Sequence, residues 1–335
     1  MKGIHINGDQ GEGGGQVLRT CLTLSLLYGI NFTISNIRAR RDKPGLRRQH
    51  LTCVRAAREI SNARIEGDEL GSTELSFSPG EVYGGEYRFD IGTAGSTTLL
   101  FQTLLLPLLQ ANKESRITLT GGTHNPMAPT LTYLRQSFLP LLRQMGANVE
   151  VEVKQWGFVP AGGGQWLARI KPSKLTPIEL TERGRLRKCR LVSYCVGLPE
   201  SIGKREIDTF IGLYHAPIDK FYIRSPVALS SGNLLCFDMK FEQMQLSIIQ
   251  LGRLKLRAEA VAEKLNKQVR EYLSSKAVLD RYLTDQIMLP MVVARGGCFS
   301  CDQLSTHATT NMEVIAQMTG YHLLFKPGHP CKLMG

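Results

Sequence analysis

A glycine-rich stretch near the start of the chain, GDQGEGGGQVLRT at residues 8–20, constrains the fold more than any other segment. Three consecutive glycines separate Glu12 from Gln16. Backbone N–H groups without a Cβ beside them can approach phosphate oxygens closely, and the N-terminus of a following helix adds its positive dipole end. The stretch therefore predicts a strand over residues 3–6, a phosphate-binding turn and a helix over residues 17–27. A tight turn without a ligand is the alternative when the segment is taken alone.

Glu12 is a candidate ligand for a divalent metal. Mg²⁺ and Mn²⁺ are usually held by one or two carboxylates together with the phosphates of a nucleotide, so one acid beside a glycine turn is enough. The stretch lacks the Gly-Lys-Ser/Thr sequence of a Walker A motif, which excludes a P-loop. A polyphosphate with a divalent metal is the ligand that this pattern favours.

Six motifs in one order span nearly the whole chain and together resemble the RNA 3′-terminal phosphate cyclases. They are GEGGGQ at 11–16, RDKPGLRRQH at 41–50, GTAGST at 92–97, GFVPAGGG at 157–164, YLTDQ at 282–286 and HATTN at 307–311. Trp156 departs from the family pattern, in which Arg or His usually precedes the glycine-rich signature.

The resemblance implies an enzyme that converts an RNA 3′-terminal phosphate into a 2′,3′-cyclic phosphate by nucleotidyl transfer. His307 would attack the α-phosphorus of ATP, giving a covalent histidine-AMP and releasing pyrophosphate. AMP would pass to the RNA 3′-phosphate, and the neighbouring 2′-hydroxyl would then close the ring and expel AMP. The expected cofactors are ATP and Mg or Mn, and the expected partner is RNA with a 3′-phosphate end.

The same resemblance assigns further site residues. Pro129 and Tyr282 would pack on the two faces of adenine with Asp285 near its edge, and Gln102 and Gln286 complete the expected nucleotide site. The expected ligands of phosphate or of the RNA end are Arg38, Arg41, Lys43, Gln49, His50, Gln16 and Arg19. We also expect Thr310 and Asn311 to hydrogen-bond either the loop or the imidazole of His307.

The basic segment at residues 38–50 supports a phosphate site independently. It holds six cations against one acid, Asp42. Pro44-Gly45 predicts a turn that brings cations from both sides towards one point, as a terminal phosphate or pyrophosphate requires. A solvated charged face is the alternative.

Glycine turns recur along the first 180 residues, and GEGGGQVL at 11–18 is echoed by AGGGQWLA at 161–168, which hints at an internal repeat. The resemblance implies an α/β (α+β) fold. Its large domain, residues 1–182 and 275–335, would contain three repeated units of a four-stranded sheet with two helices, similar to the C-terminal domain of translation initiation factor 3. A smaller α/β domain, residues 183–274, would be inserted. Simple continuation of the main domain is the alternative.

Composition bounds the partners and the compartment. A net charge of +12 and a pI near 9.4 favour an acidic polymer such as nucleic acid as the partner. The most apolar run, residues 99–109, is too short to span a membrane and predicts a buried helix. Residues 1–9 lack the apolar core of a signal peptide, so we expect a cytoplasmic protein.

Two other functions compete with the enzyme. Cyclase-like proteins of ribosomal RNA maturation share the fold without catalysis, but they lack the histidine nucleophile that stands here at His307. A zinc-dependent RNA-binding module would use Cys298 and Cys301, although no second well-spaced pair of ligands accompanies them.

Overall fold

The first sheet is built from the N-terminal part of the chain. The computed structural model describes residues 3–335. Its first elements are β1 (Ile4–Asn7), α1 (Gly15–Tyr28), β2 (Phe32–Ser35), α2 (Arg48–Ser61), β3 (Arg64–Glu66) and β4 (Leu75–Ser78). The strands lie in the order β1-β2-β4-β3. β1 pairs with β2 in parallel, and the other two pairs are antiparallel.

The second sheet has the same pattern of connections. Its elements are β5 (Glu86–Asp90), α3 (Thr97–Leu109), β6 (Ser115–Gly121), α4 (Leu131–Tyr133), a π-helical turn (Leu134–Phe138), α5 (Leu139–Gln144), β7 (Asn148–Gln155) and β8 (Gly164–Lys171). The order is β5-β6-β8-β7, with the first pair parallel and the rest antiparallel. The predicted buried helix is α3, in which Leu100, Phe101 and Leu104 are fully buried.

A third segment forms a sheet of a different pattern. After β9 (Glu179–Leu180) come β10 (Leu186–Val196), α6 (Glu200–Tyr214), β11 (Lys220–Arg224), β12 (Gly232–Phe241), β13 (Gln245–Leu251) and α7 (Ala258–Ser275). The four strands from β10 to β13 lie in the order β11-β10-β12-β13. β9 does not join this sheet.

The last part of the chain returns to β9. It contains α8 (Arg281–Ala294), β14 (Cys298–Cys301), α9 (Thr306–Thr319), β15 (Leu324–Lys326) and β16 (Cys331–Met334). β14 pairs in parallel with β9, and the order is β15-β16-β14-β9. This sheet therefore repeats the pattern of the first two, although the segment from β10 to α7 separates its first two strands in sequence.

The predicted α/β class is confirmed, since each sheet mixes parallel and antiparallel strands and carries helices. The likeness of the three similar units to the initiation factor domain stays a prediction, as do the domain boundaries. No helix within residues 3–335 is long and apolar enough to cross a membrane.

Trp156 connects the second sheet with the sheet of β10 to β13. Its ring stacks on His124 at 3.9 Å between centroids and contacts Tyr194 at 4.8 Å. Its backbone N–H donates to the carbonyl of Val227 at 2.8 Å. At this position, where the chain departs from the family pattern, the side chain packs in a junction between two sheets.

Arg183, the first cation of the basic lead into β10, has a structural role. Its guanidinium donates to the carbonyls of Tyr272, Leu273 and Ala277 at 2.6–3.2 Å. These carbonyls lie at and just beyond the C-terminal end of α7, where backbone acceptors have no partner within the helix. Arg183 therefore stabilises the end of α7 and is not available to a ligand.

Candidate active site

His307 lies in the first turn of α9. Ser305 caps this helix, because its hydroxyl accepts a hydrogen bond from the Ala308 N–H at 3.1 Å. The side chain of His307 is 47% exposed, so a ligand can reach the ring. α9 packs directly against α1, which brings the N-terminal glycine loop to the histidine.

The glycine loop can pack closely against α9 and α2 because its glycines have no side chains. Gly11 has a φ of 57°, and a Cβ there would overlap the Thr310 side chain of α9. A Cβ on Gly15 would overlap the ring of His50 on α2. The helix begins at Gly15, two residues before the predicted start, and no acidic residue lies in its first turn. The N-terminus of α1 is therefore a suitable place for an anion.

Glu12 lies between the nucleophile candidate and the basic loop. Its Oε1 accepts a hydrogen bond from Arg41 at 2.7 Å. Its Oε2 contacts His307 Nε2 but accepts no hydrogen bond from any described residue. A buried carboxylate oxygen without a hydrogen-bond donor suits a hard cation, so the site fits the divalent metal expected there.

Asp285, Gln16 and His307 form a chain of hydrogen bonds whose direction is set by chemistry. An ionised carboxylate can only accept, so Gln16 donates its Nε2 to Asp285 Oδ1, at 2.7 Å. The carbonyl Oε1 of Gln16 must then face His307 Nδ1, which lies 2.8 Å away. Nδ1 therefore carries a hydrogen, which leaves Nε2, beside Glu12, as the nitrogen that has the lone pair when the ring is neutral.

The Asp285 carboxylate also accepts a hydrogen bond from a second side chain. Its Oδ1 also accepts from Asn311 Nδ2 at 3.1 Å, and Asn311 Oδ1 accepts from Thr20 at 2.7 Å. Burial raises the pKa of Asp285, while the nearby His307 and the hydrogen bonds from Gln16 and Asn311 act against this rise. This carboxylate is thus a fixed part of the site.

Of Thr310 and Asn311, which we expected to bond either the loop or the imidazole, only Thr310 does so. Asn311 bonds Asp285, and Thr310 accepts a long hydrogen bond from the Glu12 N–H at 3.4 Å. Thr310 therefore contacts the loop, as one alternative held, but Gln16 is the side chain on the ring. No spacing within the sequence relates residue 16 to residue 307, so sequence reasoning missed this contact and the role of Thr20.

The basic segment lies beside the glycine loop, and several of its members hold the segment itself. Arg38 donates to the carbonyls of Lys43 and Gly45 at 2.6 and 3.0 Å. Gln49 Oε1 accepts from the Ser96 N–H at 2.7 Å and so fixes the GTAGST turn. Two members contact the glycine loop: Arg41 through Glu12 and Arg40 through Asp9.

His50 is a supporting residue and does not act as a cation. Burial lowers its pKa to about 3, and Arg19, Arg38 and Arg47 add to the effect. Its Nδ1 accepts a hydrogen bond from the Arg47 N–H at 3.3 Å. The neutral ring packs under Gly15, where it positions the start of α1.

A cleft of about 1610 Å³ contains the candidate site. Nine predicted site residues line it: Glu12, Gln16, Arg19, Gln102, Pro129, Tyr282, Asp285, Gln286 and His307. The other five, Arg38, Arg41, Lys43, Gln49 and His50, do not line it.

Within the cleft, the nucleotide-binding candidates are close to one another. Gln102 donates to Gln286 Oε1 at 2.7 Å, which connects α3 to α8. Tyr282 is exposed, and the guanidinium of Arg281 lies 4.8 Å from its ring centroid. Arg281 was not anticipated from the sequence.

The zinc alternative has no ligand set in the part of the chain that the structure describes. Cys298 and Cys301 both lie on β14, three residues apart, so their side chains point to opposite faces of the strand. Within residues 3–335, no group of three or more His, Cys, Asp or Glu side chains is placed to hold a metal ion.

Comparison with known proteins identifies the family. Residues 10–324 match the family model of RNA 3′-terminal phosphate cyclase. The chain is 46% identical over 319 residues to a protein of Pseudomonas fluorescens with that name, covering 94% of this chain and 92% of the relative. It is 43% identical over 322 residues to the Ralstonia nicotianae protein of the same name, covering 96% and 92%. The chain therefore belongs to the RNA 3′-terminal phosphate cyclase family.

Proposed function

We propose that this protein converts an RNA 3′-terminal phosphate into a 2′,3′-cyclic phosphate at the expense of ATP, with a covalent histidine-AMP and an RNA-adenylate as intermediates. The observation that carries the proposal is the hydrogen-bonded chain from Asp285 through Gln16 to His307 at the floor of an open cleft. It presents one imidazole nitrogen to a ligand, as a nucleophile requires.

In the first step, His307 Nε2 would attack the α-phosphorus of ATP. The N–P bond forms as the bond from the α-phosphorus to the pyrophosphate oxygen breaks. Gln16 keeps the hydrogen on Nδ1, so the lone pair stays on the attacking nitrogen. Arg19 lines the cleft and would offset the charge of the leaving pyrophosphate.

Glu12 would hold a divalent cation through its unpartnered oxygen together with oxygens of the substrate phosphates. When bound, Mg²⁺ or Mn²⁺ neutralises phosphate charge. Glu12 also contacts His307 and Arg41. Binding of a metal therefore competes with these two contacts.

The adenine would lie between Pro129 and Tyr282, both of which line the cleft. Asp285 follows Tyr282 by three residues on α8, so the two side chains share one face of the helix. This arrangement supports a nucleotide whose base contacts α8 and whose phosphates point towards α9 and the glycine loop.

In the later steps, an oxygen of the RNA 3′-phosphate would attack the phosphorus of the histidine-AMP and restore the free histidine. The product is an RNA-adenylate with AMP as its leaving group. The adjacent ribose 2′-hydroxyl then attacks the 3′-phosphorus and expels AMP, which gives the cyclic phosphate. An intracellular, cytoplasmic location and the three-unit catalytic domain with an insert complete the proposal.

The test starts with α-labelled ATP and a divalent metal. We expect acid-labile label on the denatured wild-type protein and none on His307→Ala, whereas His322→Ala, which changes an exposed histidine elsewhere, should label normally. RNA with a 3′-phosphate should become resistant to phosphatase in the presence of the wild type. A folded, ATP-binding protein without label would instead point to a non-catalytic factor of ribosomal RNA maturation.

A further inference from the structure

The cleft around His307 continues onto the sheet of β10 to β13. Its far wall consists of the turn between β13 and α7, residues 252–256, together with Lys264 of α7. The proposed ATP site uses Gln102 and Pro129 together with residues of α1, α8 and α9, and it includes no residue of this turn or of α7. The far wall thus has no role in the adenylylation chemistry proposed above.

The turn at residues 252–256 has a defined conformation. The Gly252 N–H donates to the Asn233 carbonyl at 2.9 Å, and the Leu256 N–H donates to the Arg253 carbonyl at 3.0 Å. Leu254, at the tip, is 90% exposed. An apolar side chain held in solvent beside a cleft is a candidate contact for a ligand.

The far wall is positively charged. Arg253, Lys255 and Lys264 are exposed, and none of them forms an ion pair with another residue among those described. Glu206 of α6 lines the cleft but is buried, and Glu259 of α7 is paired with Arg205. Glu263, next to Lys264 in the sequence, remains as one exposed acid against the three cations. The wall therefore attracts an anionic chain.

Exposed apolar side chains line the same cleft as these cations. Besides Leu254, they include Met127, which is 90% exposed, and Val159, which is 50% exposed. Cations beside exposed apolar surface suit a single nucleic acid strand, since phosphates pair with the cations and unpaired bases cover the apolar groups.

We propose that the turn at residues 252–256 and Lys264 bind the unpaired nucleotides that precede the 3′ end of the RNA. This inference rests on the proposed function, which places the terminal phosphate near His307. The cations of the basic lead at residues 183–190 do not line the cleft. Arg183 is bound to backbone carbonyls, and Arg187 is paired with Glu242.

The experiment separates self-adenylylation, which needs no RNA, from RNA binding. The variant is Arg253→Ala/Lys255→Ala with Leu254→Ser. The matched control is Lys188→Ala/Lys220→Ala, which removes two exposed cations of the same sheet that do not line the cleft. Binding of a fluorescent single-stranded 12-nucleotide RNA with a 3′-phosphate is measured as a function of salt.

We expect the variant to bind the 12-nucleotide RNA roughly tenfold more weakly and its salt slope to fall by about 0.7 for each cation removed. Its self-adenylylation should equal that of the wild type, and it should cyclise a 3′-phosphorylated dinucleotide normally, because so short a chain does not reach the far wall. The control should match the wild type throughout.

Unchanged RNA affinity and salt slope in the variant would overturn the inference, even if all proteins adenylylate themselves. An equal loss with the dinucleotide would also overturn it, since the residues would then act at the terminal phosphate. Absence of label from every protein would instead count against the proposed function, while the binding measurement would still decide the role of the far wall.

Discussion

His307 Nδ1 lies 2.8 Å from Gln16 Oε1, in a hydrogen bond that joins residues 291 positions apart. Because Gln16 is oriented by Asp285 on its other side, the bond fixes which ring nitrogen carries the hydrogen. An amide at residue 16 therefore orients the ring of His307 from its Nδ1 side.

Gln16→Ala should lower the rate of self-adenylylation by roughly 10- to 100-fold, as is usual when the partner of a functional histidine is removed. ¹⁵N NMR of labelled histidine distinguishes this role from a general loss of structure. His307 should carry its hydrogen on Nδ1 in the wild type and lose this preference in Gln16→Ala. Gln317→Ala removes a different amide contact between α9 and the N-terminal segment, with Gln10 at 3.1 Å, and serves as the control. A slow variant with an unchanged His307 spectrum would contradict the assignment.

Glu12→Gln should raise the metal concentration needed for half-maximal self-adenylylation, because a neutral amide binds Mg²⁺ or Mn²⁺ more weakly than a carboxylate. The glutamine can still accept a hydrogen bond from Arg41. Asp9→Asn provides a matched control, since Asp9 pairs with Arg40 at 2.8 Å on the same loop but does not contact His307. Equal metal requirements in wild type and Glu12→Gln would show that another group holds the metal.

Gly11→Ala should destabilise the fold by roughly 2–4 kcal/mol, since it combines a left-handed backbone with overlap of the Thr310 side chain. Gly29→Ala is the control, because Gly29 also has a positive φ of 66° but no atom lies within 4 Å of its added Cβ. It should cost only about 1–2 kcal/mol. Urea unfolding measures both values, and equal losses would argue against close packing of the loop on α9.

Acid should destabilise the protein through His124. Burial lowers the pKa of His124 from 6.5 to about 3. The unfolded chain therefore binds a proton on this histidine more readily than the folded protein does. As the pH falls from 6.5 towards 3, the free energy of unfolding decreases by about 1.4 kcal/mol per pH unit because of this group. His50, whose pKa is also about 3, lowers the stability in acid for the same reason.

Urea unfolding between pH 7 and pH 4.5 tests this prediction. His124→Gln should show a shallower dependence on pH, whereas His322→Gln, which changes an exposed ring, should keep the wild-type slope. Parallel curves for the wild type and His124→Gln would mean that His124 does not remain neutral in the folded state. Comparing the pH slopes, and not the absolute free energies of unfolding, separates this effect from the loss of the His124 ring that stacks on Trp156.

Local sequence signals predicted elements well where one segment determines them. The glycine stretch before α1 and the apolar run of α3 each correspond to the expected turn or helix, because glycine content and apolar density act over a few residues. The helix start was misplaced by two residues, since Gly15 lies inside α1. Glycine is usually outside a helix start, but here the ring of His50 leaves no space for a larger residue.

The site was predictable as a set of residues but not as a set of contacts. Motif resemblance named Gln16, Asp285 and His307, yet it assigned Gln16 to phosphate and Asp285 to adenine. Their hydrogen bonds depend on how α1, α8 and α9 pack together, and no periodicity within one segment reports such long-range packing. The neutral state of His50 was hidden for the same reason, because burial decides it.

The packing of α1 against α9 has a consequence for biosynthesis. During translation, Glu12 and Gln16 leave the ribosome long before Asp285 and His307, so the growing chain carries the carboxylate and the amide without their histidine. β9 likewise has no parallel partner until β14 has been made, and β14 follows the whole segment from β10 to α7. Translation products that stop before residue 307 therefore lack the histidine, and the hydrogen-bonded chain from Asp285 through Gln16 to His307 forms only after α9 has been made.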